Sequence, residues 1–320
     1  MNAEGGEIVR VEGLVKDFRT GLGIRRQRVL DGISFRVREG EIFGFVGPNG
    51  AGKTTTLKLL MGLIHPTSGR ASILGHDVGE TEFRRYVGFL PENPYFYEFL
   101  TGREILTFYA RLSGVPGARI AKRVDTLLGW VGLEHAAGAR LRTYSKGMLQ
   151  RVGIAQALVH DPLVVFLDEP MSGLDPIGRK EIRDLILRLH AEGKTVFMNT
   201  HILSDVETLC DRVAIIVKGT IRYEGRIEHF LDAGERETDV LLSRVRPELA
   251  AELDARFGPL GGRGEHLELR CAGKAVGEVL EQALRAGAEV VAVTPHRASL
   301  ESIFLSAVRD AGGPDRRDAK

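Results

Sequence analysis

The chain has 320 residues and a mass of 35.1 kDa, more than one compact domain usually takes, which predicts a large domain with a smaller appendage. Its 44 Lys plus Arg against 43 Asp plus Glu leave +1, too little for a phosphate-neutralising surface, so no nucleic acid is expected as the main partner. A content of 43% hydrophobic and 27% charged residues excludes a mainly disordered or collagen-like chain, and Cys210 and Cys271 lack the spacing of a disulfide framework or zinc site and fit a reduced compartment. The first ten residues carry Glu4 and Glu7 without an apolar core, and no stretch has the length to cross a bilayer, so the chain itself is expected to be soluble.

From Ile8 to about Gly225, short β-rich runs alternate with helical patterns, as a layered α/β domain requires. Glu41 to Val46 predicts a buried strand ending at Gly47. Leu57, Leu60, Met61 and Ile64 then recur at helical spacing until Pro66-Thr67-Ser68-Gly69 stops them. Thr101 to about Arg142 carries helical patterns and no convincing strand, which predicts a helical insertion. Leu163 to Leu167, bounded by Pro162 and Pro170, predicts a central parallel strand. Asp175 and Pro176 supply a cap and a first-turn proline to a helix carrying Ile182, Leu185, Ile186 and Leu189 on one face, and Thr195 to Thr200 is the next strand. Beyond Gly225 the order is strand Asp239 to Leu242, helix Pro247 to Phe257, strand His266 to Arg270, helix Lys274 to Ala286, strand Glu289 to Thr294 and helix Ser299 to Val308, a second α/β unit. Ala311 to Lys320 has almost no apolar residue and is expected to be a disordered tail.

Gly47-Pro48-Asn49-Gly50-Ala51-Gly52-Lys53-Thr54 satisfies the G-x-x-x-x-G-K-[ST] pattern between an expected strand and helix. A loop that wraps phosphate oxygens turns its NH groups inward, and side chains at Gly47, Gly50 and Gly52 would obstruct the anion. The helix starting near Lys53 adds the positive end of its dipole. Lys53 would neutralise β- and γ-phosphates, and the Thr54 hydroxyl would ligate Mg²⁺. The apolar run at Leu163 ends in Asp168-Glu169-Pro170, putting two carboxylates at the carboxyl end of a strand, where open α/β sheets bind ligands. Asp168 would hold Mg²⁺, and Glu169 would orient and deprotonate the water that attacks the γ-phosphate. His201 follows the next strand and would contact the γ-phosphate and that water.

The order of these motifs resembles the ATP-binding subunit of an ABC transporter over about two-thirds of the chain. The phosphate loop, Gly47 to Thr55, is followed by Leu90-Pro91-Glu92, Tyr144-Ser145-Lys146-Gly147-Met148-Leu149-Gln150-Arg151, Leu163 to Glu169, Ser172-Gly173-Leu174-Asp175 and His201. The resemblance implies a P-loop NTPase cassette at residues 1–235 with a helical subdomain at about 93–160, a small C-terminal α/β accessory domain at 236–310 and a tail at 311–320. It implies ATP and Mg²⁺ as cofactors and a head-to-tail dimer, expected to be a homodimer, with ATP between one subunit's phosphate loop and the other's signature helix. Asn49, Thr55, Ser145, Gly147 and Asp175 join the implied nucleotide-binding set, with Ser145 capping the signature helix so that its hydroxyl and the first NH groups form an anion site. Phe18 stands where the family places an aromatic against adenine. Glu92 departs from the usual Gln as a metal ligand, and Tyr144, Lys146 and Met148 depart from the usual Leu-Ser-Gly-Gly-Gln signature. Leu90-Pro91-Glu92-Asn93-Pro94 and Tyr144 to Met148 look like the ABC-2 exporter branch, as does the C-terminal unit ending Leu300 to Leu305. With no membrane span here, the implied partner is a separate transmembrane permease subunit, which puts this chain at the cytoplasmic face of the membrane. Tyr95, Phe96, Tyr97, Phe99 and Phe108 are expected to dock it. The alternatives, a soluble ATPase acting on ribosome or DNA and a regulatory module without turnover, are disfavoured by the single cassette, the absence of sustained heptads, the near-zero charge, and Glu169 with His201.

Overall fold

The computed structural model describes residues 6–20, 25–232, 237–258, 260–263, 266–295, 300–301, 304–305 and 309. The chain opens with β1 (Glu7–Thr20) and β2 (Arg25–Arg38), which pair antiparallel. Ile33, Phe35 and Val37 are buried while Ser34, Arg36 and Arg38 are exposed, the period-two alternation of a strand with one wet face. β3 (Ile42–Val46), buried at every residue, runs into the phosphate loop and α1 (Lys53–Leu60). β4 (Ser68–Ile73) and β5 (His76–Asp77) complete an antiparallel sheet in the order β2-β1-β4-β5. β6 (Val87–Leu90) leads to α2 (Gly102–Leu112), α3 (Gly117–Trp130) and α4 (Lys146–Ala157). Then come β7 (Val164–Asp168), α5 (Pro176–Ala191), β8 (Thr195–Thr200), α6 (Leu203–Leu209), β9 (Arg212–Val217) and β10 (Thr220–Arg226).

The larger sheet has the order β10-β9-β3-β8-β7-β6, with β10 antiparallel on one edge and the other five strands parallel. Its parallel strands are continuous apolar runs because both of their faces are covered. Aromatic rings join the two sheets: Phe35 of β2 lies 5.7, 5.3 and 6.0 Å from Phe43, Phe45 and Phe197, and Phe166 lies 5.2 Å from Phe197. Each such buried ring contributes about 1.5–3 kcal/mol of transfer free energy, so this cluster anchors the strands whose ends carry the site. Thr101 starts the helical insertion with a reciprocal capping box to Glu104.

β3, β7, β8, α5 and the helices α2 and α3 of the insertion lie where the sequence pattern predicts them, but that pattern makes residues 8–40 one stretch of alternating α/β. The structure instead builds a long antiparallel pair there and a second sheet. The chain divides into two compact units, of which the second spans Glu228–Ile303 and so begins short of the expected boundary at residue 235 and ends short of the expected 310. The Ile227 amide donates to Asp211 O and so belongs with β9, although α7 (Ile227–Asp232) continues into the second unit.

The second unit contains β11 (Glu237–Ser243), α8 (Pro247–Phe257), β12 (Leu260–Arg263), β13 (His266–Ala272), α9 (Val276–Arg285) and β14 (Glu289–Pro295). Its antiparallel sheet has the order β12-β13-β11-β14, a ferredoxin-like β-α-β-β-α-β arrangement around Val240, Leu242, Leu249, Leu253, Leu269 and Val279. The Gly-rich β12 has too weak an apolar pattern to be read as a strand beforehand. The expected tail at Ala311–Lys320 lies outside the described residues, and of the expected helix Ser299–Val308 only residues 300, 301, 304 and 305 are described.

Gly88 of β6 sets the approach of α4 to the sheet: a Cβ there would stand 2.3 Å from Ala157 O, a backbone atom that cannot move alone. Gly88→Ala is expected to cost about 2–3 kcal/mol through overpacking, measured by denaturant unfolding of the full chain.

Candidate nucleotide site

Strand ends and the turns after them assemble the site. β3 delivers Gly47 to Lys53, β7 delivers Asp168 and Glu169, and β8 delivers Asn199 and His201. All three strands are adjacent and parallel, so their carboxyl ends open on one side of the sheet. A cleft of about 550 Å³ is lined there by Asn49, Gly50, Gly52, Lys53, Thr54, Thr55, Glu92, Glu169 and His201 of the expected set, together with Gln27, Val29 and Ser172.

The glycines of the loop are required for reasons other than anion access alone. A Cβ at Gly47 would stand 2.3 Å from Ile216 O, so this residue is fixed by the close approach of β9. Gly52 has φ 111° and is the N-cap of α1, a backbone conformation that side-chain-bearing residues rarely adopt. Gly50 is open to solvent at its Cβ position but has φ 80°, so its demand is conformational.

Lys53 is buried, and its Nζ donates to Gly47 O at 2.8 Å and Pro48 O at 3.4 Å while lying 3.9 Å from Glu169. Burial pushes its ammonium below the usual lysine range, and Glu169, Asp168 and Glu92 oppose that shift. Asp168 accepts a 2.6 Å bond from Asn199 Nδ2. Burial raises the Asp168 carboxyl to about 6, with the neighbouring charges of Glu169 and Glu92 adding to the rise and the Asn199 bond and Lys53 opposing it. Glu169 sits at φ 49°, a left-handed conformation that costs a non-glycine residue about 1–3 kcal/mol, and its amide donates to Asn199 O at 2.8 Å. That turn aims its carboxylate at His201, whose Nδ1 lies 2.8 Å from Oε2 and 2.9 Å from Oε1. An ionised carboxylate only accepts, so Nδ1 carries the proton and Nε2 is the ring's other hydrogen-bonding atom.

The remaining expected residues lie outside this cleft. Ser145 accepts from Met148 N at 3.2 Å as the cap of α4, with Gly147 in the first turn, and Asp175 accepts from Gly178 N at 2.8 Å as the cap of α5. Phe18 is exposed beneath the Lys16 ammonium, 5.0 Å from its ring centre. Its cross-strand partner is Gln27, and directly paired residues share a sheet face, so Phe18 is on the side from which Gln27 lines the cleft. Tyr95, Tyr97, Phe99 and Phe108 form an exposed aromatic surface, with Tyr97 5.8 Å from Phe99 and 6.1 Å from Phe108. Phe96, expected with them, is instead buried against Tyr109.

Sequence reasoning missed Gln27, Val29, Ser172 and Asn199 as parts of the site. Asn199 carried a signal, an amide inside the apolar strand Thr195–Thr200, where it is fully buried. Gln27 and Val29 carried none, because β2 reaches the loop by packing on Gly52 and on the turn at Gly219, contacts between distant segments.

A phosphate loop, a buried lysine and paired carboxylates on a parallel sheet define a P-loop nucleotide hydrolase. The chain belongs to the ABC transporter family, whose sequence profile matches residues 30–172. An ABC transporter ATP-binding protein of Synechocystis is 40% identical over 95% of this chain and 86% of its own length. The fluoroquinolones export ATP-binding protein of Mycobacterium tuberculosis is 35% identical over 94% of this chain and 93% of its own. A solved dimeric ATP-binding cassette in a post-hydrolysis state, bound to ADP and Pi, matches with a TM-score of 0.63 and 26% identity over 68% of this chain and 98% of that one. This chain is therefore an ATP-binding, ATP-hydrolysing subunit of a transporter.

Asp168→Asn removes a charge that the fold disfavours and gives Asn199 Oδ1, which has no hydrogen-bond partner among the described residues, a nearby amide donor. In protein freed of nucleotide and metal, the variant is expected to be more stable by about 1–2 kcal/mol at pH 8, after allowing for solvent screening. The raised carboxyl keeps its proton in the fold below about 6, so the advantage shrinks as the pH falls through that value. Denaturant unfolding at pH 8 and pH 5 checks both the sign and the pH trend.

Proposed function

We propose that this subunit powers export through a separate transmembrane permease, with two copies of the chain closing head to tail on ATP at the cytoplasmic face of the membrane. The observation that carries the chemistry is Glu169, held by a strained turn between the Lys53 ammonium and the His201 imidazole. The export relative that covers nearly all of this chain supports the direction of transport. Among the described residues no helix is long and apolar enough to cross a membrane, in keeping with a permease on another chain.

In this reading the backbone NH groups of Gly50 to Thr54 wrap the phosphates, and Lys53 leaves its loop carbonyls to neutralise β- and γ-oxygens. Phe18 stacks on the base. Thr54, Asp168 and Glu92 form an all-oxygen donor set, and the negative cluster that raises the Asp168 carboxyl is one that a hard divalent cation would neutralise, so the residues fit Mg²⁺. When bound, Mg²⁺ would supply neutralisation of phosphate charge. Glu169 orients the attacking water and accepts its proton, and the Nδ1 bond of His201 fixes the carboxylate for that task. Ser145, Gly147 and the exposed amide end of α4 meet the γ-phosphate held by the other copy, and Asp175 lies along the same interface. The exposed aromatics at Tyr95, Tyr97, Phe99 and Phe108 form the permease-docking surface, since rigid aromatic area is enriched at interfaces.

Glu169→Gln keeps the shape of the side chain and removes the base. ATP hydrolysis is expected to fall at least about 100-fold while ATP affinity stays within about threefold, compared by phosphate release and nucleotide binding. Parental turnover in that variant would remove the assignment. Tyr95→Ser with Tyr97→Ser is expected to reduce the recovery of a multi-span membrane protein with the tagged subunit from native membranes about tenfold, with the melting temperature and basal ATPase unchanged.

A further inference from the structure

α5 begins at the Asp175 cap and ends its second turn at Arg183, whose Nη2 lies 3.4 Å from Asp205 Oδ1. Asp205 is only 2% exposed and stands in the first turn of α6, the helix that starts two residues after His201. The pair is half made. Arg183 Nε and Asp205 Oδ2 are both buried and have no hydrogen-bond partner among the described residues. A guanidinium and a carboxylate in this relation ordinarily close two parallel bonds. A long single contact that leaves a buried donor and a buried acceptor unpaired is a poor stabilising device, because a neutral pair of similar volume would hold the helices at least as well.

We infer that Arg183 and Asp205 are positioning residues that tie the middle of α5, the helix capped by Asp175, to the His201 loop, the bridge going from one long contact to two bonds when the site closes on ATP. The inference rests on the role given above to His201. A shift of α5 at the dimer interface would pull on Asp205 and, through the short link Ile202 to Ser204, on the imidazole that holds Glu169. Both ends of the link lie in helices, α5 and α6, and the unpaired atoms supply the second arrangement that coupling requires.

The test is steady-state ATPase and thermal unfolding of the full chain carrying Arg183→Met, Asp205→Asn and the two together. Each single variant strands one buried charge and is expected to lose both stability and activity. The double variant is neutral and is expected to regain the parental melting temperature while its kcat stays about tenfold low with KM for ATP unchanged. Adding His201→Ala to the double variant is expected to cost much less than His201→Ala alone, because the two act in series. Recovery of both melting temperature and kcat in the double variant would overturn the inference and leave a purely structural pair. If the double variant does not fold, Arg183→Lys keeps the charge and loses the fork. It is expected to hold the melting temperature and lower kcat, and a parental kcat would overturn the inference equally. A parental rate for His201→Ala by itself would instead remove the role of His201, a separate outcome.

Discussion

The fold of the larger unit is arranged around one buried cation. Lys53 has lost most of its water, and what replaces it is two carbonyls of its own loop and the field of Glu169, Asp168 and Glu92. The dependence is mutual: the acids oppose the burial that lowers the Lys53 ammonium, and Lys53 opposes the burial that raises the Asp168 carboxyl. The mutual dependence fixes where the strands must end. β3, β7 and β8 have to be neighbours, parallel and in register, for the loop, the carboxylates and the imidazole to lie within hydrogen-bond reach. The packed rings of Phe35, Phe43, Phe45, Phe166 and Phe197 hold those strands from behind.

Much of the cleft was legible because its parts are local. A glycine pattern, a strand ending in Asp168 and Glu169, and a histidine after a strand are each written in a few consecutive residues, and the structure gathers all three in one place. What was not legible depends on pairing between distant segments. Gln27 and Val29 reach the loop because β2 packs on Gly52 and on the turn at Gly219, contacts that no local motif records. A second reason for Gly47 is invisible locally for the same cause, since the strand that a side chain there would meet lies more than 160 residues onward. Phe96 shows the limit of composition: its sequence neighbours are exposed, and it alone of the group turns inward.

The two helix caps outside the cleft have a dual character. Ser145 and Asp175 each satisfy one amide of their own helix, so both are folded into place before anything else binds. A preordered helix end loses little freedom on meeting an anion or a facing surface.

The position of β3 between β8 and β9 also sets a schedule for synthesis. Its neighbours are encoded at residues 195–200 and 212–217, and Gly47 packs on the backbone of Ile216. A ribosome that has just made Lys53 needs about 10–30 s more to supply that backbone. Through this interval the hairpin of β1 and β2 can form, but the loop has no wall to close against, and Phe43 and Phe45 lack their cover from Phe197. Any product that stops short of β9 therefore leaves the apolar strand β3 open on one side, the kind of surface that engages chaperones and proteases.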